Sequence, residues 1–159
     1  MYRRILVPVD LAHLDTLDKA LNTAAALAHQ FNADLCYIGV TGTVPGKVAR
    51  SPEEFEKKLE DFVAQQQAQH GRPSQARTYK ASDPVSSVDD LVLEAVDDCQ
   101  CDLLVMATHL PSKLDVVLPS YPFVDPGKDR EDGNHRNPHN QQHHGDIAIG
   151  KAEKVTETR

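Results

Sequence analysis

Three apolar runs in this sequence end beside side chains that can take part in binding or catalysis. Asp10 follows the first run, and its carboxylate can accept hydrogen bonds from a ribose hydroxyl or an adenine amino group. Val40 ends the second run, and Met106 lies in a third that leads to His109. If the runs are parallel strands, their carboxyl ends meet at the edge where open α/β sheets bind ligands. The sequence leaves one alternative open, in which Asp10 only satisfies turn amides or caps the following helix.

The three cysteines predict ordinary reduced thiols. Cys36 lies in an apolar run and is typical of a small buried hydrophobic residue. Cys99 and Cys101 form a Cys-x-Cys pair with no second pair nearby, so the spacing does not favour a zinc site. We therefore expect no function from these thiols.

Four histidines lie between residues 135 and 144, close to Asp146. Histidines four residues apart would align on a helix and could bind a transition metal. Pro138 would break that helix, and no apolar face supports it. The segment therefore predicts a solvated loop, with no metal site.

The elements that must position these residues alternate along the chain. Short apolar runs predict strands, and the segments between them carry apolar residues at helical spacing. The predicted strands span 4–9, 35–40, 77–81 and 103–108, and the predicted helices run from Asp15 or Thr16 to about Phe31, over 52–70, and from about Asp83-Pro84 onward. Ser51 is the expected cap of the second helix, with Glu54 completing a capping box. The alternation predicts an α/β fold, a three-layer sandwich with a mostly parallel sheet and helices on both faces.

The end of the chain breaks this pattern. Residues 125–146 contain no large apolar side chain, so they cannot bury enough surface to offset their ordering entropy. We predict one domain over 1–159, with 119–146 a mobile insertion of which residues 125–146 are dispensable for folding. Order is expected to return weakly at 147–150, and Lys151 is expected to open a helix that continues to Arg159.

Composition excludes several classes of partner. The 159 residues carry a net charge of −7, the sign opposite to that of most nucleic-acid-binding proteins. No apolar run approaches the ~20 residues that a membrane-spanning helix needs. Only five uncharged residues separate Arg4 from Asp10, which is too short for a signal-peptide core. The sequence therefore predicts a cytoplasmic protein without nucleic-acid binding or membrane insertion.

Two motifs together resemble the universal stress protein family. They are Ile-Leu-Val-Pro-Val-Asp over 5–10 and Asp-Leu-Leu-Val-Met-Ala-Thr-His over 102–109. The resemblance covers 1–109 and resumes over 149–155. It implies the adenine nucleotide alpha hydrolase-like (Rossmann-like) fold, a homodimer, and the ATP binding found in many members.

The resemblance also implies which residues contact a nucleotide. The positions that match are Pro8, Val9, Asp10, Val40, Met106, His109 and Gly150. Leu110 and Lys113 stand where the family has glycines that let backbone amides approach phosphates. We therefore expect weak binding of ATP or AMP, held by the nucleoside end, and no metal beyond magnesium accompanying a nucleotide.

The family normally ends with a fifth apolar strand that also pairs the two subunits. Nothing after Val155 can supply such a strand. The expected sheet therefore has four strands and an exposed edge, or the chain is a piece of a longer one. A third alternative is that a partner chain or the segment 147–149 covers that edge, since an open edge invites pairing.

Three functions follow from these observations. The first is a regulatory protein of the stress response that acts by binding partners and adenine nucleotide. The alternatives are an ATP-binding protein with slow ATPase or phosphotransfer activity, and an interaction module without a ligand. The sequence has no Ser-His-Asp arrangement, activated cysteine or Walker lysine motif, and His109 alone could serve as a general base. We therefore expect no enzymatic activity.

Overall fold

The computed structural model describes residues 1–82, 88–107 and 147–151. Its helices and strands alternate as the sequence predicts, and each predicted strand is found within three residues of its expected bounds. In chain order they are β1 (Arg4–Pro8), a 3-10 helix (Leu14–Thr16), α1 (Asp18–Phe31), β2 (Asp34–Gly42), α2 (Pro52–His70), β3 (Ser74–Ala81), α3 (Val88–Asp98), β4 (Leu103–Ala107) and β5 (Ile147–Lys151).

One sheet of five strands organises the chain, in the order β3-β2-β1-β4-β5. The first four strands are parallel, with Ile5 beside both Leu35 of β2 and Leu103 of β4. β5 runs antiparallel to β4. The predicted α/β fold with a mostly parallel sheet is therefore confirmed.

The helices divide between the two faces of this sheet. β1, β2 and β4 alternate side chains between the faces, as the period of two requires. Ile5, Tyr37 and Val105 pack with α1 and α2 on one face. Leu6 and Cys36 pack with α3 on the other. The connections from β1 to β2 and from β2 to β3 move along the sheet in one direction, and the connection from β3 to β4 moves back. Because such connections are right-handed, α3 lies on the opposite face from α1 and α2.

The bounds of α2 and its Ser51 cap form as the sequence predicts, whereas the Glu54 carboxylate accepts from the residue before the cap. Glu54 N donates to Ser51 Oγ at 3.2 Å, and Arg50 N donates to the Glu54 carboxylate at 2.9 Å. Gly71 ends the helix with φ +65°, a conformation that costs glycine little.

The predicted cap of α1 is wrong. Asp15 and Thr16 lie in the short 3-10 helix, and the Thr16 hydroxyl donates to the carbonyl of His13 at 2.8 Å. α1 begins at Asp18, and Leu17 at its N-cap makes no side-chain cap. The reason is that the 3-10 turn runs directly into α1, so Leu17 keeps a helical backbone and no extended residue remains to cap the helix.

A four-stranded sheet with an exposed edge is not observed; of the alternatives for this edge, the one in which the segment 147–149 covers it is confirmed. Ile147–Lys151 forms the fifth strand and pairs with the whole of β4, from Ala107 beside Ile147 to Leu103 beside Lys151. Lys151 therefore ends a strand and does not open a helix. All five β4 residues are buried, so their backbone groups on this side need hydrogen-bond partners, which β5 supplies.

Other predictions fall outside the described residues. They concern the mobile insertion over 119–146, the start of the third helix near Asp83-Pro84, and a helix after Lys151. Within the described part of the chain, no helix is long and apolar enough to cross a membrane.

Candidate functional site

The carboxyl ends of β1 and β2 bring four of the predicted site residues to one edge of the sheet. Pro8 at the end of β1 pairs with Ile38 in β2. Val9 N continues the ladder by donating to Ile38 O at 2.8 Å, and Asp10 follows at the rim. Val40 lies two residues beyond Ile38, so it stands beside the point where the chain leaves β1. The sheet thus forms the edge that the sequence predicted for a ligand.

β4 reaches the same edge from the other side of β1. Its register begins with Leu103 beside Ile5 and Leu104 beside Leu6. The pairing with β1 ends there, and β4 continues through Met106 to Ala107. Three neighbouring strands therefore end around Asp10, in the arrangement that α/β sheets use to bind ligands.

Asp10 is held in place by the turn that follows it. Its Oδ1 accepts from Ala12 N at 2.9 Å, and its Oδ2 lies 2.7 Å from His13 Nδ1. The turn-stabilising alternative for Asp10 is therefore observed. The Asp10 carboxylate can still accept hydrogen bonds from a ligand, because each oxygen accepts more than one and the side chain is 52% exposed. The result is an oriented carboxylate that faces solvent.

His13 is the residue of this site that the sequence analysis missed. Because an ionised carboxylate only accepts hydrogen bonds, the 2.7 Å contact requires His13 Nδ1 to carry the proton. The signal was the Asp-x-x-His spacing, since residues three apart face each other across a single turn. His13 is 68% exposed, so its ring is also open to a ligand.

Burial separates the predicted site residues into two groups. Val9 is 6% exposed and Met106 is 4% exposed, and both side chains belong to the core. Only their backbone groups can face a ligand. Pro8 and Val40 are half-buried and Asp10 is exposed, so these three present side chains at the rim.

The structure does not bring Gly150 to this edge. Gly150 pairs with Leu104, three register positions from the end of β4 at Ala107, or about 10 Å along the strand. His109, Leu110 and Lys113 lie outside the described residues. The described part of the site therefore consists of the ends of β1, β2 and β4.

Charges near the end of β3 are already paired. Lys80 Nζ lies 3.8 Å from the carboxylate of Glu53, in the first turn of α2. A backbone hydrogen bond at this helix start lowers the pKa of Glu53, with smaller contributions from Ser51 and Lys80. Among the described residues, no group of three histidine, cysteine or acidic side chains could hold a metal ion. This edge can accept hydrogen bonds from hydroxyl and amino groups, with the Asp10 carboxylate as its central acceptor.

The order of strands and the position of this edge define a Rossmann-like α/β protein. A sequence profile described as the universal stress protein family matches residues 1–120. The chain belongs to this family. No curated protein sequence matches it.

Solved structures support the same fold. A universal stress family protein from Burkholderia pseudomallei has a TM-score of 0.51 and 22% identity, covering 68% of this chain and 83% of that one. A universal stress protein from Archaeoglobus fulgidus in complex with dAMP has a TM-score of 0.54 and 19% identity, covering 74% and 91%. A universal stress protein in complex with cAMP has a TM-score of 0.50 and 17% identity, covering 75% and 86%. At these identities the likeness shows the fold.

Proposed function

We propose that this chain is a regulatory protein of the stress response that binds an adenine nucleotide weakly, by its nucleoside end, at the carboxyl edge of the sheet. The observation that carries the proposal is the exposed Asp10 carboxylate, which Ala12 N and His13 orient where three strands end. A ribose or adenine donates hydrogen bonds, and an oriented carboxylate is a strong acceptor for them.

The remaining described residues fit a nucleoside in this place. Val40 offers a half-buried apolar side chain next to Asp10, suitable for one face of an adenine ring. The backbone near Met106 offers amide and carbonyl groups, which can take up the ring edge while the side chain stays in the core. Two structural neighbours are described as complexes with cAMP and dAMP, which are adenine nucleotides with a single phosphate.

Phosphates should add little to this binding. The sequence has Leu110 and Lys113 where the family has glycines, and a side chain blocks the close approach of backbone amides to phosphate. Lys80 is an exposed lysine whose Nζ lies 3.8 Å from the Glu53 carboxylate. Screened attraction to an exposed lysine is worth about 1 kcal/mol or less. AMP and ATP should therefore bind within about tenfold of each other, a difference of ~1.4 kcal/mol.

Titration calorimetry with AMP and ATP tests the proposal. Asp10→Ala should weaken both by about tenfold or more, since a hydrogen bond to a charged group contributes ~1.5–3 kcal/mol. Asp10→Asn is a second variant that keeps an acceptor for Ala12 N and so preserves the turn. Asp15→Ala is the matched control, because it removes an exposed carboxylate from the adjacent 3-10 helix.

Two results would contradict the proposal. Tight ATP binding without AMP binding would show that the phosphates, not the nucleoside, are held. Unchanged binding by both Asp10 variants would place the site elsewhere.

The proposal includes a homodimer that acts through a protein partner. β5 is the edge strand beyond β4 among the described residues, and Ile149 on it is 43% exposed. An open edge with an exposed apolar side chain favours pairing with a second chain. Light scattering on the purified protein tests this, and a monomer at all concentrations would exclude it. The cytoplasmic location stays a prediction.

A further inference from the structure

The three cysteines, which come from two distant segments of the sequence, meet in one buried cluster. Cys36 lies in the centre of the sheet on β2, and Cys99 and Cys101 follow the last residue of α3. They are 0%, 2% and 6% exposed. The Sγ atoms of Cys36 and Cys99 are 2.9 Å apart. All three are free thiols in the structure.

The carboxyl end of α3 creates this cluster. Cys99 N donates to Ala95 O at 3.0 Å, and Cys101 N reaches back to Val96 O at 2.9 Å. Gln100 between them adopts φ +52°, so the turn is a Schellman motif with a left-handed residue. The motif reverses the chain tightly and leaves Cys99 and Cys101 in the same apolar cluster beneath α3.

Surrounding groups keep the Cys36 and Cys99 thiols neutral. Burial raises the pKa of Cys99 to about 12. The hydrogen bond with Cys101, together with burial, raises the pKa of Cys36. The negative end of the α3 dipole also disfavours a thiolate at Cys99. The resting state is therefore a pair of protonated sulfurs in contact.

We propose that Cys36 and Cys99 form a redox modification site, in which a peroxide converts the two thiols to a disulfide that ties β2 to the carboxyl end of α3. A disulfide needs an S–S distance of about 2.05 Å, so the sulfurs must approach by only about 1 Å from their present contact. Cys101 also neighbours Cys36, but the Sγ contact of 2.9 Å is the one between Cys36 and Cys99, and the Cys101 Sγ donates to the carbonyl of Cys99 at 3.9 Å.

The reaction balances in two steps. The Cys99 sulfur gives up its proton and attacks one peroxide oxygen; the O–O bond breaks, and hydroxide leaves to take up the proton as water. The product is a sulfenic acid at Cys99. The Cys36 sulfur then attacks the Cys99 sulfur; the S–S bond forms, the S–O bond breaks, and the departing hydroxide leaves as water with the Cys36 proton. Two electrons pass from the thiols to hydrogen peroxide, which is reduced to two waters.

Cys99 is the first sulfur to react, because it lies at the end of a short helix and Cys36 lies in a central strand. α3 has three turns and covers its face of the sheet alone among the described helices, so its local opening can admit a small neutral oxidant. Neutral buried thiols react slowly, so oxidation is expected on a longer timescale than that of an exposed cysteine.

The experiment treats the folded chain with hydrogen peroxide, blocks remaining thiols with iodoacetamide in denaturant, and maps cross-linked peptides by mass spectrometry. Without the label, the oxidised monomer is expected to be lighter than the reduced monomer by about 2 Da. It should retain one alkylatable thiol and contain a Cys36–Cys99 cross-link that dithiothreitol removes. Cys99→Ala and Cys36→Ala should each abolish the cross-link, and the matched control Cys101→Ala should keep it. Alanine is chosen over serine because it does not bury an unpaired hydroxyl. Mapping of the oxidised wild-type chain answers the question without any variant.

The other outcomes overturn the proposal. These are a cross-link between Cys99 and Cys101, one between Cys36 and Cys101, a disulfide between two chains, or three alkylatable thiols after a treatment that fully oxidises the denatured chain.

Discussion

The two faces of the sheet are formed by the same strands but differ in the side chains they carry and in the helices that cover them. The face beneath α1 and α2 is filled by large apolar side chains, among them Ile5, Tyr37 and Leu59. The face beneath α3 holds all three cysteines, and α3 is the one helix that covers it among the described residues. Pro8 and Val40 follow the alternation of Leu6 and Ile38, so the candidate ligand edge opens on this second face.

This difference separates stability from chemistry. On the first face two helices interlock with the sheet, and Gly39 marks how closely α2 approaches β2. On the second face, the turn after α3 brings the cysteine sulfurs together, and the ends of β1, β2 and β4 separately surround the Asp10 carboxylate. We expect substitutions on the first face to change folding, and substitutions on the second to change binding or oxidation.

The largest effect is expected from Val105→Asp. Val105 is fully buried on the face of α1 and α2, and an unpaired buried charge costs several kcal/mol, so the domain should not fold. Ile149→Asp is the matched control, because Ile149 pairs directly with Val105 and is 43% exposed. Circular dichroism and thermal melting measure both variants. A cooperative melt for Val105→Asp would contradict the packing described for this face.

Gly39→Ala should come next. A Cβ on Gly39 would lie 2.7 Å from the Phe55 ring and 3.2 Å from Leu59, so α2 must shift outward. Overpacking of this kind typically costs ~1–3 kcal/mol. Gly46→Ala is the control, since its Cβ would meet nothing closer than 3.9 Å. Urea unfolding gives both values; equal stability of the two variants would show that α2 does not interlock with β2.

Alkaline pH should lower the folding stability by a smaller amount, through buried groups on each face. Burial raises the pKa of Cys99 from 9.0 to about 12 and that of Tyr37 from 10.0 to about 12. A raised folded-state pKa contributes stability that is complete below the unfolded value and is lost as pH rises toward the folded value. Loss from Cys99 should therefore begin near pH 9 and reach about 1 kcal/mol by pH 10, Cys36 should add to the same early loss, and loss from Tyr37 should begin one unit later.

Melting curves recorded between pH 7 and pH 11 measure this loss of stability. Cys99→Ala should flatten the early part of the decline, and Tyr37→Phe should flatten only the late part. A decline that neither variant changes would assign the alkaline sensitivity to other groups.

The smallest effect concerns the two tyrosines that pack on opposite faces. The Tyr37 hydroxyl is fully buried and has no hydrogen-bond partner among the described residues. Tyr37→Phe removes this unpaired group and should leave stability unchanged or raise it by up to about 1 kcal/mol. Tyr79→Phe, in contrast, loses a 3.1 Å hydrogen bond to Asp98 and should cost ~0.5–1.5 kcal/mol. Urea midpoints that rank the two variants in the reverse order would contradict the assignment of partners.

Local signals predicted much of this molecule from the sequence. Short apolar runs between amphipathic segments indicated four strands and three helices, because burial on both faces needs a continuous apolar strand. Ser51, Glu54 and Gly71 marked the ends of α2, since caps and left-handed ends depend on residues a few positions apart. The end of the first apolar run placed Asp10 at the rim for the same local reason.

Other features depended on partners that are distant in the chain. β5 forms because the buried edge of β4 needs hydrogen bonds, and no pattern within 147–151 shows which strand it will join. The Cys36–Cys99 contact spans 63 positions and exists only after α3 crosses back over β2. Met106 shows the same limit at the candidate site, where burial leaves only its backbone for a ligand. Sequence patterns specify which groups a segment carries, and only the packing of segments against each other decides which groups meet and which remain open to solvent.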